Sequence, residues 1–241
     1  MRRPAWLTSR PIAHRGLHAE GIAENSIGAA LAAIAGSYAI ECDVQASRDG
    51  EAIVFHDSAL DRLTSAKGDI ATFAAAELAP IAYREGATLA TLSEFLAAVG
   101  GRVPLFVDIK SRFEGDMRLA TRVAQLAASY SGPLALQSFD PQILIELRRQ
   151  NVPRPLGLIA QAGYEDWKDL GDAVRQRLAQ LTDFASIVPD FLAWRAADLP
   201  HAVPLVCRAF MPVLAWTLRD AQSRSEALRW ADQVFFEGFA P

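Results

Sequence analysis

The sequence predicts a (β/α)8 barrel with a small insertion after its second strand. Three observations predict it. Short apolar runs alternate with helix-period patterns until eight parallel strands are counted. Charged and hydrogen-bonding residues gather where those runs end, at the face where such barrels carry their chemistry. The rival, a doubly wound open sheet, needs a glycine-rich phosphate loop after its first strand, and none is present. Barrels of this type take roughly 250 residues. The chain has 241, read as one domain over residues 1–241 with the insertion at about 45–88.

The first strand is Pro11-Ile12-Ala13, ending at His14-Arg15-Gly16, where Gly16 allows a sharp turn. Asn25 or Ser26 can cap a helix that shows Ile27, Leu31 and Ile34 on one face and stops at Gly36. The second strand runs from about Tyr38 to Val44. Glu41 and Asp43 lie on one of its faces, Ile40, Cys42 and Val44 on the other. Asp49-Gly50 then signals a hairpin. The gap is too short for a parallel crossover, so Ile53–His56 returns antiparallel and brings His56 roughly opposite Asp43.

Residues 57–90 read as loop and short helical turns, with Thr72 or Thr91 as caps. Thr91-Leu92-Ser93-Glu94 has capping-box spacing. Six further strands are expected: Pro104–Lys110, Pro133–Ser138, Pro155–Ala160, Phe184–Val188, Val213–Leu218 and Gln233–Glu237. Helical patterns lie between them over Met117–Ser129, Pro141–Gln150, Tyr164–Leu181, a less regular Phe191–Ala209, and Asp220–Trp230.

Composition narrows the function classes. Hydrophobic content of 51% and charge of 22% fit a soluble globular protein. A net charge of -4 makes no electrostatic case for nucleic acid. Cys42 and Cys207 make no disulfide framework and fit a reducing compartment. No apolar run follows Arg2-Arg3, and none reaches the roughly 20 residues a spanning helix needs. A cytoplasmic location is therefore expected. Oligomeric state is left open.

The strand ends carry His14, Arg15, Glu41, Asp43, Asp108, Lys110, Gln137, Ser138, Trp216 and Glu237. Buried side-by-side carboxylates are costly unless a cation or several donors meet them, and a metal is the simplest resolution. Glu41, Asp43 and Asp108 can together hold one divalent ion, and oxygen-only ligands favour a hard one, Mg2+ or Ca2+, with Mn2+ admissible. Arg15 and Lys110 supply positive charge around an anion. His14 and His56 can act as acid and base. Cations, metal and a histidine pair suit phosphoryl transfer to water or to a neighbouring hydroxyl. A glycosidase has no use for that cation set, and a zinc hydrolase wants more histidine ligands.

With these residues in place, the sequence resembles the glycerophosphodiester phosphodiesterase family. The matching features are His14-Arg15-Gly16, Glu24-Asn25, Glu41-x-Asp43, Asp49-Gly50, His56-Asp57, Asp108-Ile109-Lys110, Ser138-Phe139 and Trp216-Thr217, in the family's order. The resemblance implies metal-dependent hydrolysis of a small-molecule glycerophosphodiester to glycerol 3-phosphate and an alcohol. It implies Glu41, Asp43 and Asp108 as metal ligands and His14 and His56 as the catalytic pair. Arg15, Lys110 and Trp216 would bind phosphate and substrate, with the Glu24 carboxylate beside Arg15. A cyclic phosphate formed by the glycerol hydroxyl is the family's expected intermediate.

Two features depart from the family pattern. Asp108 stands where a glutamate is usual, and Phe236-Glu237-Gly238 replaces a Thr-Asp ending. Two alternatives stay open: a lysophospholipase D-like enzyme, favoured if Leu60, Leu63, Ile70 and Phe73 form an apolar rim, and a non-catalytic glycerophosphoryl-binding barrel.

Overall fold

The computed structural model describes residues 3–241. Its strands are β1 (Ile12–Ala13), β2 (Ala39–Ala46), β3 (Ala52–Val54), β4 (Ala90–Thr91), β5 (Leu105–Ile109), β6 (Leu134–Ser138), β7 (Leu156–Ala160), β8 (Phe191–Arg195), β9 (Val213–Leu218) and β10 (Gln233–Phe236). The helices are α1 (Ile27–Ala35), α2 (Ala75–Leu78), α3 (Leu92–Val99), α4 (Arg118–Ser129), α5 (Pro141–Arg149), α6 (Asp172–Ala179), α7 (Phe184–Ile187), α8 (Ala202–Arg208) and α9 (Ala221–Ala227). Eight strands pair in parallel in the order β1-β2-β5-β6-β7-β8-β9-β10, and β10 closes on β1. No helix among the described residues is long and apolar enough to cross a membrane.

Alternation along each strand builds two cores. Outward residues such as Ile40, Cys42, Val44, Leu105, Val107 and Ile109 pack under the helices. Cys42 lies here as a small packed residue, and burial pushes its thiol's pKa up. Inward residues fill the barrel: Ile12, Ala39, Phe106, Ala135, Phe191, Ala193, Leu214 and Phe235. Phe106 is at the centre, with edge-to-face contacts to Trp6, Phe191 and Phe235 at 6.0, 5.7 and 5.8 Å. Gly157 on β7 makes room for Phe191, because a Cβ there would overlap its ring.

The hairpin about Asp49-Gly50 forms as expected. β3 runs antiparallel to β2, with Val44 opposite Val54, and the Phe55 amide donates to the Asp43 carbonyl at 3.0 Å. β4 adds a short antiparallel strand on β3, where the sequence predicts loop. Leu60 and Ile70 are buried in the insertion's own core, with Leu63 and Phe73 packed against it, so they form no apolar rim. Thr91 and Glu94 make the reciprocal capping box on α3. Asp69, not Thr72, caps the short 3-10 turn at Ile70–Thr72. Ser26 caps α1 through its hydroxyl, which frees Asn25 for the site.

One strand is displaced from its expected place. Phe184–Ile187 is helical, and the strand is Phe191–Arg195, inside the stretch read as irregular helix. Both runs are short and apolar around Pro189-Asp190, and periodicity alone cannot separate them. The barrel separates them. Phe191, Ala193 and Arg195 alternate inward between β7 and β9, whereas α7 packs on α5 outside. The helix expected over Tyr164–Leu181 is confined to α6, which leaves Trp167 on the loop after β7.

Candidate active site

The inward rows that are apolar at the barrel floor turn polar at its mouth. Ala39 is followed by Glu41 and Asp43, Phe106 by Asp108, Ala135 by Gln137, Ala193 by Arg195, Leu214 by Trp216, and Phe235 by Glu237. All of these upper residues but Glu237, which sits behind His14, line one cavity of about 340 Å3 with His14, Arg15, His56 and Lys110. Asp43 and Asp108 are register partners on adjacent parallel strands, as are Asp108 and Gln137.

The turn after β1 is built around backbone amides. Arg15 is left-handed at φ 60° and Gly16 at φ 76°. A Cβ on Gly16 would lie 2.8 Å from Ala29, so only glycine lets this turn sit against α1. The Arg15 amide donates to Glu41 Oε2 at 2.8 Å, and its guanidinium donates to Glu24 at 2.8 Å. Asn25, also left-handed, grips Asp43 twice. Its amide nitrogen donates to the carboxylate at 2.8 Å, and its side-chain oxygen accepts from the Asp43 backbone at 3.0 Å.

Three carboxylates, from Glu41, Asp43 and Asp108, are buried together. One oxygen from each lies within 4.8 Å of the others. Lys110 Nζ bridges Asp43 and Asp108 at 2.7 and 2.6 Å. Their charges are uneven. Burial raises the pKa of Glu41 well above normal, and the negative charges of Asp43 and Asp108 add to the rise. Burial also pushes Asp108 up to about 6, against the pull of Lys110. Asp43 is desolvated too, but Lys110, His56 and Arg15 outweigh that and hold it well below the carboxylate range. Asp108 Oδ1 is buried without a hydrogen-bond partner. Three acids against one wedged lysine and the edge of the Arg15 guanidinium, 3.4 Å from Asp43, with an orphaned carboxylate oxygen, fit a hard divalent cation.

Each histidine gives Nδ1 to a carboxylate and keeps Nε2 for a ligand. His14 Nδ1 is 2.7 Å from Glu237, and His56 Nδ1 is 2.6 Å from Asp57. Burial lowers both pKa values below the usual histidine range, against those carboxylates. Asp57 in turn is bound by Arg62, which also reaches Glu24. A chain of ion pairs therefore joins His56, Asp57, Arg62, Glu24 and Arg15.

All of the expected site residues converge except Glu24, which sits behind Arg15. Arg15 and Lys110 are both occupied by carboxylates. Trp216 lines the wall and donates its indole N–H to the Ala193 carbonyl at 3.1 Å. Sequence reasoning missed Arg195, because its strand was misplaced. It lines the cavity and pairs with no acid among the described residues. It also gave Gln137 no role, although that side chain is buried with its oxygen unpartnered. Glu237 was noted as a departure without its contact to His14, which joins residues 223 positions apart.

The sequence model of the glycerophosphoryl diester phosphodiesterase family matches residues 14–239. A glycerophosphodiester phosphodiesterase of Caldanaerobacter subterraneus is 29% identical over 168 residues, 65% of this chain and 69% of that protein. Among solved structures, an Oleispira antarctica phosphodiesterase in complex with sn-glycerol-3-phosphate superposes with a TM-score of 0.79 at 20% identity, covering 94% of this chain and 91% of the other. A glycerophosphodiester phosphodiesterase from Thermotoga maritima gives 0.72 at 23% identity, covering 93% and 92%. The solved structures share the barrel, the family match spans it from His14 to Phe239, and the chain belongs to the glycerophosphoryl diester phosphodiesterase family.

Proposed function

We propose that this protein hydrolyses glycerophosphodiesters to glycerol 3-phosphate and an alcohol, with the barrel and its insertion acting as one catalytic domain. The observation that carries the reading is the buried trio Glu41, Asp43 and Asp108 flanked by two carboxylate-held histidines. The Oleispira relative's bound sn-glycerol-3-phosphate supports the same substrate class. Glu41, Asp43 and Asp108 would hold one Mg2+, Ca2+ or Mn2+. When bound, such an ion stabilises charge developing on the phosphoryl oxygens.

The chain's own groups divide the remaining work. One histidine Nε2 takes the proton from the glycerol hydroxyl beside the phosphorus as the new O–P bond forms. The other gives its proton to the departing alcohol oxygen, which keeps the electron pair of the broken bond. Water then opens the cyclic phosphate with the two roles reversed. Arg15 and Lys110 hold the acids in place and keep positive charge beside the phosphate. Among the described residues of the cavity, Arg195 has no acid partner and is free to meet the phosphate directly.

The test is release of glycerol 3-phosphate from glycerophosphocholine and glycerophosphoethanolamine, in chelator and with each of the three ions. Ion-dependent release is expected. Undiminished release in chelator would remove the metal role, and no release with any ion would refute the function.

A further inference from the structure

A second cavity opens beside the catalytic one. It holds about 240 Å3 and shares His56, Asp108, Lys110 and Phe139 with it. Its outer walls are Phe113, Phe139 and Trp167, from the loops after β5, β6 and β7. We propose that this aromatic cleft receives the alcohol arm of the diester and selects a compact alkylammonium group there. The inference rests on the phosphodiesterase reading above and adds where the alcohol lies and which alcohols are favoured.

The three rings pack together along one side of the cavity. Trp167 meets Phe139 at 5.0 Å and 56°, and Phe113 at 6.1 Å and 72°. At these separations the rings touch and form one continuous aromatic wall along the cleft. The rings are also braced from behind. Tyr164 packs on Trp167 at 5.2 Å, and Trp216 packs on Phe139 at 5.4 Å. The cleft is thus formed before anything binds, which spares the cost of ordering it.

Charge argues for a cation. Besides the aromatic rings, the cleft is bounded by two committed carboxylates: Asp108, paired with Lys110 and assigned to the ion, and Asp140, which accepts from the Gln142 amide and the Ser111 hydroxyl. Among the described residues that line it, the one lysine or arginine is Lys110, which is held between Asp43 and Asp108. The opposite wall of the catalytic cavity carries Arg195 and Arg219. A diester whose phosphate lies at the acids and Lys110 therefore meets free positive charge on the Arg195 side and an aromatic wall with no free cation among the described residues on the other. A quaternary ammonium gains most from the second side, through attraction to the ring quadrupoles. The cleft is compact, and Leu60 and Ile70 of the insertion are committed to their own core and do not extend it for an acyl chain. His56 borders both cavities and so stands beside the departing alcohol oxygen.

The experiment compares kcat/KM for glycerophosphocholine and glycerophosphoglycerol, a cationic and a neutral alcohol, with the ion that supports activity. Wild type should prefer the choline ester. Trp167→Leu keeps an apolar wall but loses the ring. It should lose roughly threefold to thirtyfold on the choline ester and less than about twofold on the glycerol ester. Trp167→Phe should retain most of the preference. Phe113→Leu provides an independent arm should the tryptophan variants misfold, with the same selective loss expected. Equal losses on both esters, or no loss on either, would overturn the inference while leaving the phosphodiesterase reading intact. Wild type that cleaves neither ester would overturn the parent reading instead.

Discussion

Replacing Glu237 by glutamine tests how His14 is held ready. The carboxylate lies 2.7 Å from His14 Nδ1, and its other oxygen lies 3.2 Å from Arg219. His14 and Glu237 side chains are only 16% and 21% exposed, so solvent screens the pair weakly. A hydrogen bond to a charged group contributes about 1.5–3 kcal/mol and a neutral one about 1 kcal/mol. Glu237→Gln should therefore lose about 1–2 kcal/mol of support for the imidazolium that forms when His14 takes a proton. That corresponds to a fall in kcat of roughly 5- to 30-fold, with KM little changed. The direction of the pH effect follows from the opposing causes. Burial lowers the His14 pKa and Glu237 raises it, so removing the charge should move the acid limb of kcat/KM to lower pH. Folding stability gives a second reading. The His14 contact holds Glu237 down at about 2, below its ordinary 4.5. A depressed carboxylate stabilises the fold above its unfolded pKa and loses that contribution as pH falls from about 4.5 toward 2. The variant's Tm should depend less on pH in that window. A variant with kcat within about twofold of wild type and an unshifted profile would refute this role for Glu237.

Other substitutions probe the rest of the site. His14→Ala and His56→Ala should each lower kcat at least ~100-fold, the usual weight of acid–base catalysis; two variants near wild type in steady-state assays would remove both residues from the chemistry. Asp108→Glu restores the longer acid that the family usually carries and should keep or strengthen ion binding, read by titration calorimetry; complete loss would mean a pocket shaped for the shorter side chain. Arg195→Gln removes the cavity's unpaired guanidinium and should lower kcat/KM by roughly 10-fold or more on every diester, chiefly through KM; unchanged kinetics would place Arg195 outside the phosphate's reach.

Much of the site was readable because strand geometry is periodic. Glu41 and Asp43 two residues apart had to share a face, and apolar Ile40, Cys42 and Val44 fixed which face met the helices. Asp49-Gly50 forced a hairpin and so carried His56 back beside Asp43. Arg195 was lost for the converse reason: Phe184–Val188 and Phe191–Trp194 are equally plausible short apolar runs, and nothing local distinguishes them. Asn25 beside Ser26 posed the same difficulty, since either can cap a helix. The structure gives the cap to Ser26 and sends Asn25 to Asp43.

The sequence by itself determined the barrel, the place of its insertion and the set of acids and histidines at its mouth. Each follows from patterns local to a strand, a turn or a cap. Tertiary structure alone decided which of two apolar runs enters the barrel, because that depends on Phe191 fitting over Gly157. It alone set Glu237 against His14, since that contact depends on strand closure across more than two hundred residues. It alone gathered Phe113, Phe139 and Trp167 around one cleft, because three separate loops must meet in space, and no spacing along the chain records that meeting.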